Sequence, residues 1–199
     1  MRGHDLAPAA RRRPPDVRRD IQLVFQNPDS SLNPRQSVGE ILTRPIRLFR
    51  SDVARREEAR AVAAALDQVR LAASTAQRYP SEFSGGQRQR VAVARAFAAR
   101  PAVLLCGEVT SALDVSIQAT VLELIAKLAT TFATTVVFVS HDLAVVRTLC
   151  RRAVVMRAGR GCEEGSTGEL FMAPRHPYTR ELIAAIPSLP APILNDGAK

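Results

Sequence analysis

Three short apolar runs constrain the fold of this chain more than any other feature. They are Ile21 to Phe25 (IQLVF), Ala102 to Cys106 (AVLLC) and Thr135 to Val139 (TVVFV). Each is too short for a buried helix and lacks the apolar/polar alternation of a half-solvated strand, so each reads as a strand buried on both faces. Helical patterns separate them. Over 115–130, Ile117, Val121, Leu124, Ile125 and Leu128 fall on one face. A helix is also expected over 142–149, a further strand over 153–157 (AVVMR), and short helices near 167–172 and 178–185. Buried strands alternating with helices predict a parallel α/β sheet.

The stretch between the first two strands breaks this rhythm. Asn27 to Pro34 has the chemistry of a loop. Helical patterns follow at roughly 37–49 and 52–70, the second with Val62, Leu66 and Val69 on one stripe. Residues 71–83 read as a linker. A helix from about 85 to 99 turns Val91, Ala94 and Phe97 or Ala98 inward. Residues 37–99 therefore read as a helical lobe inserted into the sheet. Residues 1–19, rich in proline and arginine, read as an irregular lead-in.

Composition removes several function classes. The net charge is +9, yet the one arginine cluster (Arg11 to Arg13 with Arg18 and Arg19) is interleaved with Pro14, Pro15, Asp16 and Asp20, with no aromatic nearby to stack on a base. A solvated surface loop explains it, and no nucleic-acid partner is expected. No apolar run approaches the ~20 residues of a membrane span, and no apolar stretch follows the charged N-terminus as in a signal peptide. Cys106, Cys150 and Cys162 lack zinc or iron–sulfur spacing and read as free thiols of a reducing compartment.

Ligands of open parallel sheets sit beyond the carboxyl ends of the strands. Gln26, Glu108 and His141 each fall just past an apolar run. Singly, each is more often a loop or structural residue; together they predict one polar site at one edge of the sheet. A second signal is Phe83-Ser84-Gly85-Gly86-Gln87-Arg88-Gln89-Arg90 at a helix start. A Ser84/Gln87 capping box accounts for part of it. It leaves unexplained two glycines in the first turn, each costing about 1 kcal/mol relative to alanine. Close backbone approach to an anion at the helix N-terminus explains them, and phosphate is the natural ligand.

FSGGQRQRVAVARA resembles the signature motif of ABC ATPases, with Phe83 in place of the usual leucine. Leu104 to Asp114 is similar to the Walker B strand and D-loop, Ser140-His141-Asp142 to the H-loop, and Val24 to Pro28 to the Q-loop, in the family's order. The resemblance covers roughly 20–190. Residues 25–34 (FQNPDSSLNP) and 174–189 (PRHPYTRELIAAIPSL) further resemble the oligopeptide, dipeptide and nickel importer group. The implied fold is a partial P-loop NTPase-like parallel sheet with the lobe inserted, over 20–173, followed by an HPYT extension over 174–199. The implied cofactors are ATP and magnesium. Glu108 is implied as general base or water-positioning residue, with His141 and Gln26 beside it. Ser84, Gly85, Gly86, Gln87 and Asp114 are implied to contact nucleotide, and Gln26 to be a weak magnesium ligand. Implied partners are a second ABC ATPase subunit, membrane permease subunits and, indirectly, a solute-binding protein. The implied location is peripheral, on the cytoplasmic face of the cell membrane.

Two departures qualify the expected activity. The 199 residues contain no GxxxxGK[ST] loop, and the only lysines are Lys127, within a helical pattern, and Lys199. Gly107 stands where the family has the aspartate that helps hold magnesium. The sequence therefore predicts an energising subunit that is degenerate and unable to bind ATP alone. The alternatives are a non-catalytic interaction partner and a gene fragment with no independent activity.

Overall fold

A computed structural model describes residues 6–107 and 115–186, and the chain divides into two compact units, residues 1–139 and 140–199. The first opens with helix α1 (Pro15–Asp20) and strand β1 (Ile21–Val24). Helices α2 (Val38–Phe49), α3 (Glu58–Gln68) and α4 (Gly85–Ala98) follow, then β2 (Val103–Gly107), α5 (Val115–Thr131) and β3 (Thr135–Val139). Helix α1 corrects the expectation that residues 1–19 are wholly irregular: Pro15 takes the first helical position, where its missing N–H costs nothing, and Asp16 lies in the first turn.

The three strands form a parallel sheet in the order β1-β2-β3. Leu23 pairs with Leu105 and Leu105 with Val137; Val24 pairs with Cys106 and Cys106 with Phe138. This confirms the expected α/β architecture but corrects the burial. Val24, Leu104 and Cys106 are at most 1 % exposed on one face, whereas Leu23, Phe25, Val137 and Val139 remain 39, 46, 44 and 65 % exposed on the other. An apolar run reports a strand without reporting how many of its faces are covered. On the covered face, burial pushes the Cys106 thiol up to about 12.

Helix α4 is the central element. From Val91 to Ala99 every residue except Arg95 is buried, because the helix packs against α2 and α3 on one side and against β1 and α5 on another. Its apolar stripe is accordingly wider than the expected three positions. The lobe core is Leu42, Ile46, Leu66 and Val69, each at most 2 % exposed. Ser37 starts α2 with a capping box, its N–H donating to Glu40 Oε2 at 2.7 Å and its Oγ accepting from the Glu40 N–H at 3.3 Å.

The second unit contains α6 (Leu143–Leu149), β4 (Arg152–Arg157), β5 (Arg160–Ser166), α7 (Thr167–Met172) and α8 (Pro177–Ala184). The strand expected over 153–157 exists, but it pairs antiparallel with β5 rather than continuing a parallel series. Ala158 and Gly159, at φ 49° and 77°, make the two-residue hairpin turn that the right-handed strand twist favours.

The HPYT segment is held by this hairpin. His176 caps α8, its Nδ1 accepting from the Tyr178 N–H at 3.1 Å, and Pro177 takes the first helical position. The Arg157 guanidinium stacks 4.7 Å from the Tyr178 ring centroid. Glu163 of β5 accepts from the N–H groups of Arg175 at 2.8 Å and His176 at 3.0 Å. Its carboxyl is held at about 2, below the ordinary carboxylate range, first by the Thr179 hydroxyl facing it and then by those two amides. The buried Thr179 Oγ1 lies outside strict hydrogen-bond geometry, so its influence is that of a nearby dipole. A depressed pKa means that this contribution is intact above the ordinary value and is lost as pH falls through the folded one. Docking of α8 on the hairpin is therefore expected to hold from neutral pH to about 4.5 and to fail between there and about 2. Glu163→Gln should abolish that acid transition and loosen α8 at pH 7, as followed by amide exchange over 177–184.

Candidate functional site

The predicted site residues fall into three groups. The first is the start of α4. Ser84, in extended conformation, is its N-cap; its Oγ accepts from the Gln87 N–H at 3.3 Å and its N–H donates to Gln87 Oε1 at 3.0 Å. The expected capping box is therefore present, and it leaves Ser84 exposed and Gly85 and Gln87 half-buried at a helix N-terminus. First-turn amides lack intrahelical acceptors and carry the positive end of the macrodipole, the arrangement that binds anions. Phe83 is 4 % exposed, with the Arg78 guanidinium 4.6 Å over its ring. The aromatic thus anchors the segment from below, as the family's leucine is expected to do.

Gly86 differs from the sequence expectation. A Cβ built there would lie 2.6 Å from Ile117 Cγ2 of α5, inside any tolerable contact. Helix packing therefore demands this glycine, whatever ligand approaches the other side of the backbone.

The second group is at the strand ends. Gln26 is exposed just beyond β1, and Gly107 ends the neighbouring β2. Among the described residues a Cβ at Gly107 would meet nothing within 4 Å. Glu108 and Asp114 lie outside the described residues. The third group belongs to the second unit. Ser140 Oγ accepts from the Asp142 N–H at 2.9 Å, and Asp142 Oδ1 accepts from the N–H groups of Ala144 at 2.9 Å and Val145 at 3.3 Å, capping α6. His141 is exposed between these two anchors.

Sequence reasoning missed the contacts that tie the first two groups together. Gln89, 0 % exposed, donates through Nε2 to the Phe25 carbonyl at 3.5 Å. Arg88 Nε lies 2.7 Å from Asp29 Oδ1 as an ion pair, without the angle of a hydrogen bond. Arg95, its guanidinium pKa lowered by burial, donates to the Ser31 carbonyl. Their only sequence signal is that all three lie on the helix that the glycines begin.

A larger groove of about 1040 Å³ lies in the lobe, lined by Glu40, Arg44, Arg47, Arg55, Arg56 and Glu58 among others. It includes none of the described candidate site residues. Among the described residues no group of three His, Cys, Asp or Glu side chains is placed to hold a metal ion. Gly107 carries no side-chain oxygen to offer a metal ion, and the start of α4 presents the kind of backbone N–H groups that an anion needs.

The model of the ABC transporter family matches residues 1–111, and that of the oligopeptide/dipeptide transporter C-terminal region matches residues 162–197. The chain is 47 % identical to the di/tripeptide transport ATP-binding protein DppF of Pseudomonas aeruginosa, over 94 % of this chain and 58 % of that protein. It is 44 % identical to the oligopeptide transport ATP-binding protein OppF of Escherichia coli, over 89 % and 53 % respectively. The chain thus spans just over half the length of these relatives. Among solved structures, the dimeric post-hydrolysis state of the ATP-binding cassette MJ0796 bound to ADP and Pi superposes with a TM-score of 0.64 at 32 % identity, covering 76 % of this chain and 65 % of that one.

Proposed function

The chain belongs to the ABC transporter family, and from that premise we propose that it serves a peptide importer as an energising subunit that supplies one half of a nucleotide site. The observation that carries this reading is the start of α4: a capped signature segment whose Ser84 is exposed and whose Gly85 and Gln87 are half-buried at a helix N-terminus. In ABC dimers ATP is enclosed between the phosphate loop of one subunit and the signature of the other. The signature segment present here can complete a site whose phosphate loop, lysine and magnesium come from a partner subunit. Glu108, His141 and Gln26 keep their implied roles in this reading. The matched C-terminal region and the two peptide-transport relatives support a peptide as cargo.

The domain reading follows: 20–173 as a partial ATPase domain, 174–199 as the importer-type extension. No helix among the described residues is long and apolar enough to cross a membrane. A place at the cytoplasmic membrane face, docked on permease subunits, accords with the relatives' transport roles.

The test pairs this chain with an intact ATPase subunit whose own signature serine has been replaced. Addition of the chain is expected to restore ATP hydrolysis, and Ser84→Arg in the chain to prevent the restoration. Gly107 favours a second reading, a docking subunit without nucleotide chemistry. In that case the chain supports permease assembly while hydrolysis is indifferent to Ser84→Arg and to Glu108→Gln.

A further inference from the structure

The loop after β1 is a small preformed body. Asn27 Oδ1 accepts from the Asp29 N–H at 2.9 Å, the Ser30 hydroxyl donates to the Asn27 carbonyl at 2.7 Å, and the Ser31 hydroxyl donates to the Pro28 carbonyl at 3.0 Å. Pro28 and Leu32 are buried beneath it. Helix α4 grips this body twice, at Asp29 through Arg88 and at the Ser31 carbonyl through Arg95. Residues seven apart lie nearly in line on a helix, about 10 Å along its axis, so these two contacts fix the turn as a unit.

Between that turn and β1 lies the Phe25–Gln26 peptide. There α4 offers a third contact of a different kind. Gln89 reaches the Phe25 carbonyl at 3.5 Å, the outer limit of a hydrogen bond, and its Oε1 is buried without a protein partner. Only Nε2 can face a carbonyl, so the amide orientation is set. A fully buried amide with one long bond and one unmatched acceptor is a poor contributor to stability; an apolar group of the same shape would do as well or better. Its value must lie elsewhere.

We infer that Gln89 is a positioning residue: it sets the Phe25–Gln26 peptide, and so the exposed Gln26 side chain, relative to the signature end of α4. The chemical importance of Gln26 rests on the half-site reading above, but the positioning does not.

The experiment uses the whole chain without nucleotide or partner, so its failure would leave the half-site reading standing. Amide exchange is compared in wild type, Gln89→Leu and Gln89→Glu. For Gln89→Leu, exchange over 26–32 should accelerate roughly tenfold while β2 and β3 keep their protection and the urea midpoint is unchanged or raised. For Gln89→Glu, the carboxylate cannot donate to the Phe25 carbonyl but the protonated acid can. Loop protection factors, corrected for intrinsic rates, should therefore recover on acidification, against a flat wild-type profile. Unchanged loop exchange in the leucine variant, or loosening of loop and sheet together with a lowered midpoint, would overturn the inference, as would a flat profile in a folded glutamate variant. Should the glutamate variant fail to fold, the leucine variant decides alone.

Discussion

Titration of the 199-residue chain with millimolar magnesium–ATP is expected to give no measurable binding heat and no phosphate release. Charge-assisted hydrogen bonds to phosphate are worth roughly 1.5–3 kcal/mol each. Doing without even three of them costs at least about 4.5 kcal/mol, or roughly 10³-fold in affinity. In the half-site reading the start of α4 supplies only one wall of a site, and Gly107 withholds a metal ligand besides. Gly107→Asp separates the two deficits. No described residue comes within 4 Å of a Cβ there, so the substitution should change unfolding free energy by no more than about 0.5 kcal/mol. It should still confer no nucleotide binding on the chain alone, because the missing phosphate cradle outweighs the added carboxylate. Micromolar ATP affinity in either protein would refute the half-site reading.

Gly86→Ala is expected to destabilise the chain although alanine is the better helix former. The added Cβ would meet Ile117 Cγ2 at 2.6 Å. Ile117 is β-branched, so Cγ2 cannot swing aside without turning the whole side chain. Overpacking of this kind costs about 1–3 kcal/mol, against a gain of about 1 kcal/mol in helix propensity. A net loss of up to about 2 kcal/mol should appear in urea unfolding. The diagnostic is the double variant with Ile117→Ala, which removes the clashing methyl. Its destabilisation should fall short of the sum of the single variants by at least about 1 kcal/mol. Additivity would show that the glycine answers to something other than α5.

How much of this was legible follows from the range of the interactions concerned. The three apolar runs announced β1, β2 and β3, and alternation with helices announced their parallel pairing, because both are local patterns. Ser84 and Gln87 announced their own capping box at a spacing of three residues. The open face carrying Leu23 and Val137 was not legible, since an apolar letter does not say whether anything covers it. Strand β5 escaped because Arg160 to Ser166 (RGCEEGS) is polar and pairs through its backbone; the Ala158-Gly159 turn was the only cue. Gly86 was assigned to a ligand because its constraint, Ile117, lies on another helix. Gln89 and Arg95 contact residues 64 positions away, beyond any local pattern. Glu163 gives the HPYT segment a structural meaning, as the acceptor that seats α8, which the motif itself does not disclose.

The thiol buried in the middle strand offers a built-in clock. Cys106 is 1 % exposed and its pKa stands near 12, so in the folded sheet it presents neither access nor thiolate to an alkylating reagent. Each modification of Cys106 therefore records one opening of β2, while the half-buried Cys150 and Cys162 report the second unit in the same sample. The pace of that labelling, resolved by peptide mass, measures how often this sheet breathes and how far a bound partner holds it shut.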